Sequence, residues 1–72
     1  MKQKKAFLEK LGKNVAKLRK QKGYSQDRIY LEAGLSRGTM SKIERGLVSV
    51  EVFTLYRVAQ IIDVPLKKFF EF

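Results

Sequence analysis

The sequence predicts an all-α domain, and three observations carry that prediction. Apolar residues recur at steps of three and four along most of the chain. Serines suited to capping helix N-termini, Ser25, Ser36 and Ser49, stand at the starts of those runs. Glycines suited to closing helices, Gly23, Gly34 and Gly46, stand at their ends. With 72 residues the chain is expected to form one small domain, 1–72, of five helices.

The first helix is expected over Ala6 to Lys22. Phe7, Leu8, Leu11, Val15 and Leu18 supply its apolar face. Gly12 weakens it by up to about 1 kcal/mol relative to alanine. Lys20 and Lys22 place positive charge at the negative end of the helix dipole. The preceding residues, 1–5, are polar and basic and read as a flexible or partly helical terminus.

Residues 25–46, SQDRIYLEAGLSRGTMSKIERG, read as two short helices joined at Gly34. Ile29 and Ala33, four apart, face inward in the first, with Tyr30 beside them. Met40 and Ile43, three apart, face inward in the second. Ser25 and Ser36 are their expected N-caps. This is the plan of a helix-turn-helix, whose second helix fits a DNA major groove. Its outward face would carry Arg37, Thr39, Ser41, Lys42 and Arg45. None is acidic, and each can donate a hydrogen bond.

After the connector Leu47 to Val50, Ser49 is placed to cap a fourth helix, about Val50 to Ile62. Its inward face would be Leu55, Val58, Ala59 and Ile62, with Phe53 and Tyr56 half-buried. Asp63 ends it ahead of Val64-Pro65, because a residue before proline avoids the helical region. Pro65 then starts a last helical turn, Leu66 to Phe70. Ile61, Val64, Phe69, Phe70 and Phe72 leave more apolar surface than one small core absorbs. One of Phe69 and Phe70 is expected to plug the core. The surplus makes residues 50–72 the expected homodimer region.

The net charge is +9, from 16 Lys+Arg against 7 Asp+Glu, which favours a polyanionic partner. That excess is uneven. Residues 1–22 carry a net +8, residues 23–46 carry +1, and residues 47–72 carry zero. The lysines of the first helix therefore read either as a solvated face or as a non-specific phosphate clamp beside the motif. Cysteine and histidine are absent, which removes disulfides, thiolate chemistry and the usual general base and zinc ligands. No paired carboxylates, phosphate-cradling glycine loop or nucleophile elbow is present, so no enzyme, metal or cofactor is expected. No apolar run approaches the roughly 20 residues of a membrane span. A cytoplasmic location is expected, since cysteine-free composition fits it.

The segment Ser25–Gly46 resembles the helix-turn-helix of the Cro/repressor-type (XRE) family of prokaryotic and phage regulators. Ser25-Gln26, Gly34, Ser36-Arg37 and Ser41-Lys42-Ile43-Glu44-Arg45-Gly46 carry the likeness. It extends outward through Leu18-Arg19, Lys22-Gly23, Thr54-Leu55, Val58-Ala59, Val64-Pro65 and Phe69-Phe70, roughly Leu11 to Phe70. One position departs from the pattern. Tyr30 stands where the family usually has a small residue, and Ala33 where it usually has a larger one. Either Ala33 compensates for Tyr30 or the two helices cross differently.

The resemblance implies a compact five-helix, lambda-repressor-like fold. It also implies that Arg19 pairs with Glu44 as a structural tie, and that Gln26 holds a phosphate. On this reading Arg37, Gly38, Thr39, Ser41 and Lys42 face the bases, and Ser36, Arg45 and Lys22 join Gln26 at the backbone. The implied partners are a palindromic double-stranded DNA operator and a second copy of the chain, with RNA polymerase a partner where regulation is by activation. No small-molecule ligand and no membrane partner is expected. A restriction–modification controller, a Cro-like phage regulator and an autorepressing antitoxin all fit. Readings of another class are a small protein-binding adaptor using Phe69, Phe70 and Phe72, and a cationic helix on anionic membranes.

Overall fold

The apolar stripes of the helices meet around a single core. The computed structural model describes residues 2–72. The elements are α1 (Lys2–Gln21), α2 (Gln26–Ala33), α3 (Thr39–Glu44), α4 (Val52–Ile62) and a 3-10 turn at Leu66–Phe70. No strand occurs among the described residues. The all-α class is as expected, but the fifth helix is a single 3-10 segment.

Leu11 and Val15 of α1, Ile29 and Ala33 of α2, and Met40 and Ile43 of α3 are buried. They close on Leu55, Val58, Ala59 and Ile62 of α4 and on Phe69. Each fully buried large side chain of this kind contributes roughly 1.5–3 kcal/mol. No described helix is long and apolar enough to cross a membrane.

Three helix starts differ from expectation. Helix α1 begins at Lys2, not Ala6, because Lys2, Gln3, Lys4 and Lys5 are good helix formers with no breaker among them; Met1 lies outside the described residues. Helix α4 begins at Val52, not Val50, and Ser49 does not cap it; Glu51 holds the N-cap position with extended backbone. The reason is local packing. Val48 and Val50 are half-buried against the core while Ser49 and Glu51 are exposed, the two-residue alternation of an extended chain. The third difference, at α3, belongs to the candidate interface below.

Two polar or small residues on α1 fix its neighbours. Gly12 lies where α1 presses on the last turn of α3: a Cβ there would collide with the carbonyl oxygens of Ile43 and Glu44. Asn14 is nearly buried and donates through Nδ2 to the carbonyls of Lys68 (2.7 Å) and Phe69 (2.9 Å). It thereby holds the 3-10 turn that delivers Phe69 to the core.

Gly12→Ala sets two effects against each other. Helix propensity favours alanine by up to about 1 kcal/mol, whereas overpacking against backbone that cannot rotate away costs about 1–3 kcal/mol. The expected outcome in urea unfolding is a net destabilisation of about 1–2 kcal/mol. A stabilised Gly12→Ala protein would show that α1 and α3 are not in close contact.

Candidate nucleic-acid interface

The helix pair α2–α3 is built on local chemistry. Ser25 caps α2, its hydroxyl accepting from the Arg28 amide at 3.0 Å. Gly34 ends α2 in the left-handed region, with φ 71°. Beyond it the chain does not re-enter a helix at Ser36. Gly38 takes φ 84°, incompatible with a right-handed helix, and α3 starts only at Thr39. Ser36 therefore caps nothing with its side chain; its carbonyl accepts from the Thr39 amide at 3.1 Å in a turn. The expected helix from Ser36 to Arg45 is a six-residue helix, about 9 Å long, preceded by a turn that carries Arg37 and Gly38.

Helix α3 turns Met40 and Ile43 into the core. Arg37, Gly38, Lys42 and Arg45 are exposed, and Thr39 and Ser41 are half-buried. The candidate base-facing residues thus fall on one outward edge, split between the turn and the helix. Ser36 and Lys22 are exposed as well, Lys22 just beyond the end of α1.

The exposed Arg37 guanidinium is held further into its charged range, first by the Tyr30 side chain and then by the charge of Asp27. Arg28 is similarly held, with its Nε 2.7 Å from Glu32 Oε2 and its guanidinium 4.2 Å from the centre of the Tyr24 ring. Sequence reasoning missed both tyrosine–arginine pairs. Their spacings, four and seven residues, are visible in the sequence, but the folding that makes each pair neighbours is not.

Behind this edge lies a buried ion pair. Arg19 Nε and Nη2 donate to Glu44 Oε2 and Oε1 at 2.6 and 3.0 Å, a bidentate geometry. Arg19 Nη1 also donates to the Tyr24 carbonyl at 2.7 Å, and Gln26 Nε2 donates to Glu44 Oε1 at 2.8 Å. Both charged side chains are less than a tenth exposed. Gln26, expected only as a phosphate contact, is therefore also part of this tie. Its amide nitrogen carries a second hydrogen that can still point outward.

The residues expected at a dimer contact separate. Phe69 is fully buried and belongs to the core, which corrects its assignment to an interface. Ile61 and Val64 are half-buried against the core. Phe70 and Phe72 are exposed, and Phe72 packs on Phe7 with ring centres 5.6 Å apart. A more open apolar surface lies at the start of α4. There Val52 and Phe53 are 67% and 65% exposed, and Tyr56, stacked on Phe53 at 6.2 Å, is 44% exposed. Phe53 and Tyr56 were expected to be half-buried; they stand instead on the face opposite Leu55, Val58 and Ile62.

The helix-turn-helix (HTH_3) family profile matches residues 15–69. The chain belongs to this helix-turn-helix family. It is 39% identical over 54 residues to the uncharacterized HTH-type transcriptional regulator y4dJ of Sinorhizobium fredii, covering 75% of this chain and 70% of that one. It is 36% identical over 62 residues to the HTH-type transcriptional regulator SlrR of Bacillus subtilis, covering 85% of this chain but 41% of SlrR. Among solved structures, the restriction-modification controller protein C.AhdI of Aeromonas hydrophila superposes with a TM-score of 0.84 at 30% identity. That match spans 89% of this chain and 97% of the controller. An HTH_3 family transcriptional regulator of Vibrio cholerae gives 0.82 at 28% identity, over 93% of this chain and 38% of that one. The pairing of Tyr30 with Ala33 is thus accommodated within the helix-turn-helix family fold. Ala33 is 2% exposed, and Tyr30 is half-buried against the core.

Removing one partner of a buried, bidentate pair leaves an uncompensated charge, which typically costs about 3–5 kcal/mol. Arg19→Ala and Glu44→Ala are each expected to lose about that much in urea denaturation. Losses below about 1 kcal/mol would mean the pair is solvated and does not hold α1 to α3.

Proposed function

We propose that this protein is a sequence-specific, double-stranded DNA-binding transcriptional regulator that acts as a homodimer on a palindromic operator. The observation that carries this is the outward α2–α3 edge, where exposed Arg37, Lys42 and Arg45 project from a scaffold locked by the Arg19–Glu44 pair. In this reading α3 enters the major groove. Arg37 and Lys42 face base edges, arginine being suited to guanine O6 and N7. Gly38 allows close backbone approach, and Thr39 and Ser41 add hydroxyl contacts. Gln26 donates its second amide hydrogen to a phosphate, with Ser36, Arg45 and Lys22 as further backbone contacts. The family membership and the likeness to a controller protein over almost its whole chain support a transcriptional output in a prokaryotic cytoplasm.

The dimer is proposed at the exposed apolar group Val52, Phe53 and Tyr56 on the start of α4, with Phe70 and Phe72 secondary. Two subunits would then read half-sites about one helical turn, ~34 Å, apart.

Selection from random duplexes at about physiological salt tests the reading, since that salt suppresses non-specific phosphate binding. A palindromic consensus is expected. Arg37→Ala with Lys42→Ala should abolish the preference while circular dichroism stays unchanged, because neither side chain is buried. Enrichment of nothing would remove the regulator reading and favour a protein-binding adaptor. Separately, Phe53→Glu is expected to shift the protein from dimer to monomer in sedimentation equilibrium without unfolding it. A dimer unaffected by Phe53→Glu lies elsewhere on the surface.

A further inference from the structure

The basic excess of residues 1–22 is not at the α2–α3 edge. Lys10, Lys13 and Lys17 are exposed and line one shallow groove on α1 with Asn14, Glu71 and Phe72. Their spacing of three and four residues sets them in a row about 10 Å long. None of the three pairs with a carboxylate among the described residues. Glu71, the acidic side chain of the groove, lies 3.5 Å from the Lys68 ammonium.

The location of this row matters more than its charge. Helix α1 is gripped on two flanks. Gly12 meets the end of α3, and Asn14, two positions and therefore roughly 160° around the helix, meets the 3-10 turn. Leu11 and Val15 face the core between them. Lys10 and Lys17 lie on the 3-10 side of the remaining outer face, beside the C-terminal Phe72. In the proposed reading, a duplex entered by α3 lies on the α3 side of α1, toward the flank that Gly12 presents.

We infer that Lys10, Lys13 and Lys17 form a second duplex-DNA surface, separate from the α2–α3 edge, that holds phosphate backbone without reading sequence. As a second surface it rests on the reading of the α2–α3 edge as the first. A linear row of unpaired ammonium groups suits a partner whose charge is also linear and dense, one negative charge per roughly 1.7 Å of duplex axis. No hydrogen-bonding fork or apolar pocket among these lysines would select a particular base. A protein with both surfaces occupied joins two stretches of DNA.

The test uses the full chain with K10Q/K13Q/K17Q, R37A/K42A and the combined variant, checked by circular dichroism. The probe is a short random-sequence duplex, followed by fluorescence anisotropy across a salt series. The R37A/K42A protein should still bind this probe at low salt. Adding the three glutamines should weaken that binding about tenfold or more and reduce the slope of log affinity against log salt by about 2–3. K10Q/K13Q/K17Q alone should keep the wild-type sequence preference, with affinity for the selected duplex at physiological salt unchanged within about twofold. An unchanged slope in the combined variant overturns the proposal. So does an equal loss on the selected duplex, which would put the lysines on the same DNA as α3. Poly-glutamate binding that matches duplex binding and needs the same lysines also overturns it, in favour of an acidic protein partner. Failure of the edge reading is a different result: R37A/K42A would retain the sequence preference, while the random-duplex series still reports on the lysines.

Discussion

The bidentate contact between Arg19 and Glu44 is the constraint on which the candidate nucleic-acid interface depends. It joins the last full turn of α1 to the last residue of α3. Through the Tyr24 carbonyl it fixes the loop into α2, and through Gln26 it fixes the first residue of α2. Four separate stretches thus share one set of hydrogen bonds. Helix α3 needs this support because six residues are too few to be stable alone; isolated helices shorter than about 12 residues are marginal in water. Its position comes from Met40 and Ile43 in the core and from this pair at its end.

Gly12 explains how the pair can be so short. Without a side chain at that position, the α1 backbone approaches the carbonyls of Ile43 and Glu44, which brings the α3 terminus within reach of Arg19 on the same face two turns along the helix. Asn14 works on the opposite flank by the same logic. It satisfies two carbonyls of a short 3-10 segment that would otherwise lose them to water, and so keeps Phe69 inserted. A small core gains order from a few specific polar contacts at its margins as well as from apolar burial.

Much of this was legible in the residues. Ser25 and Gly34 marked α2 because a hydroxyl cap and a left-handed glycine are local chemistry. Periodicity located Leu11, Val15, Ile29, Met40, Leu55 and Ile62 because burial follows spacing. Asn14 could also have been found, as a polar residue one position before Val15 at the three-residue step from Leu11. The starts of α3 and α4 were not legible. Ser36 and Ser49 are good caps in isolation, but Gly38 takes a left-handed turn that delays the start of α3, and Val48 and Val50 pack on the core and keep the chain extended up to Glu51. The Arg19–Glu44 pair lies 25 residues apart in sequence and came only from resemblance to a family. Phe53 and Tyr56 misled for the opposite reason: aromatic residues suggest burial, yet helical phase put them outside.

The two kinds of arginine in this molecule have different energetic consequences. Arg19 is desolvated, so its loss exposes a buried carboxylate to an unfavourable environment and costs several kcal/mol. Arg37 is exposed, where a charged contact contributes about 0–1 kcal/mol to folding. In the proposed reading, stability and recognition are therefore carried by separate side chains. A domain of this size has little stability to spare, and the proposed reading edge, made of exposed side chains on a locked scaffold, is an arrangement that would let contacts be made with a partner without loosening the fold that presents them.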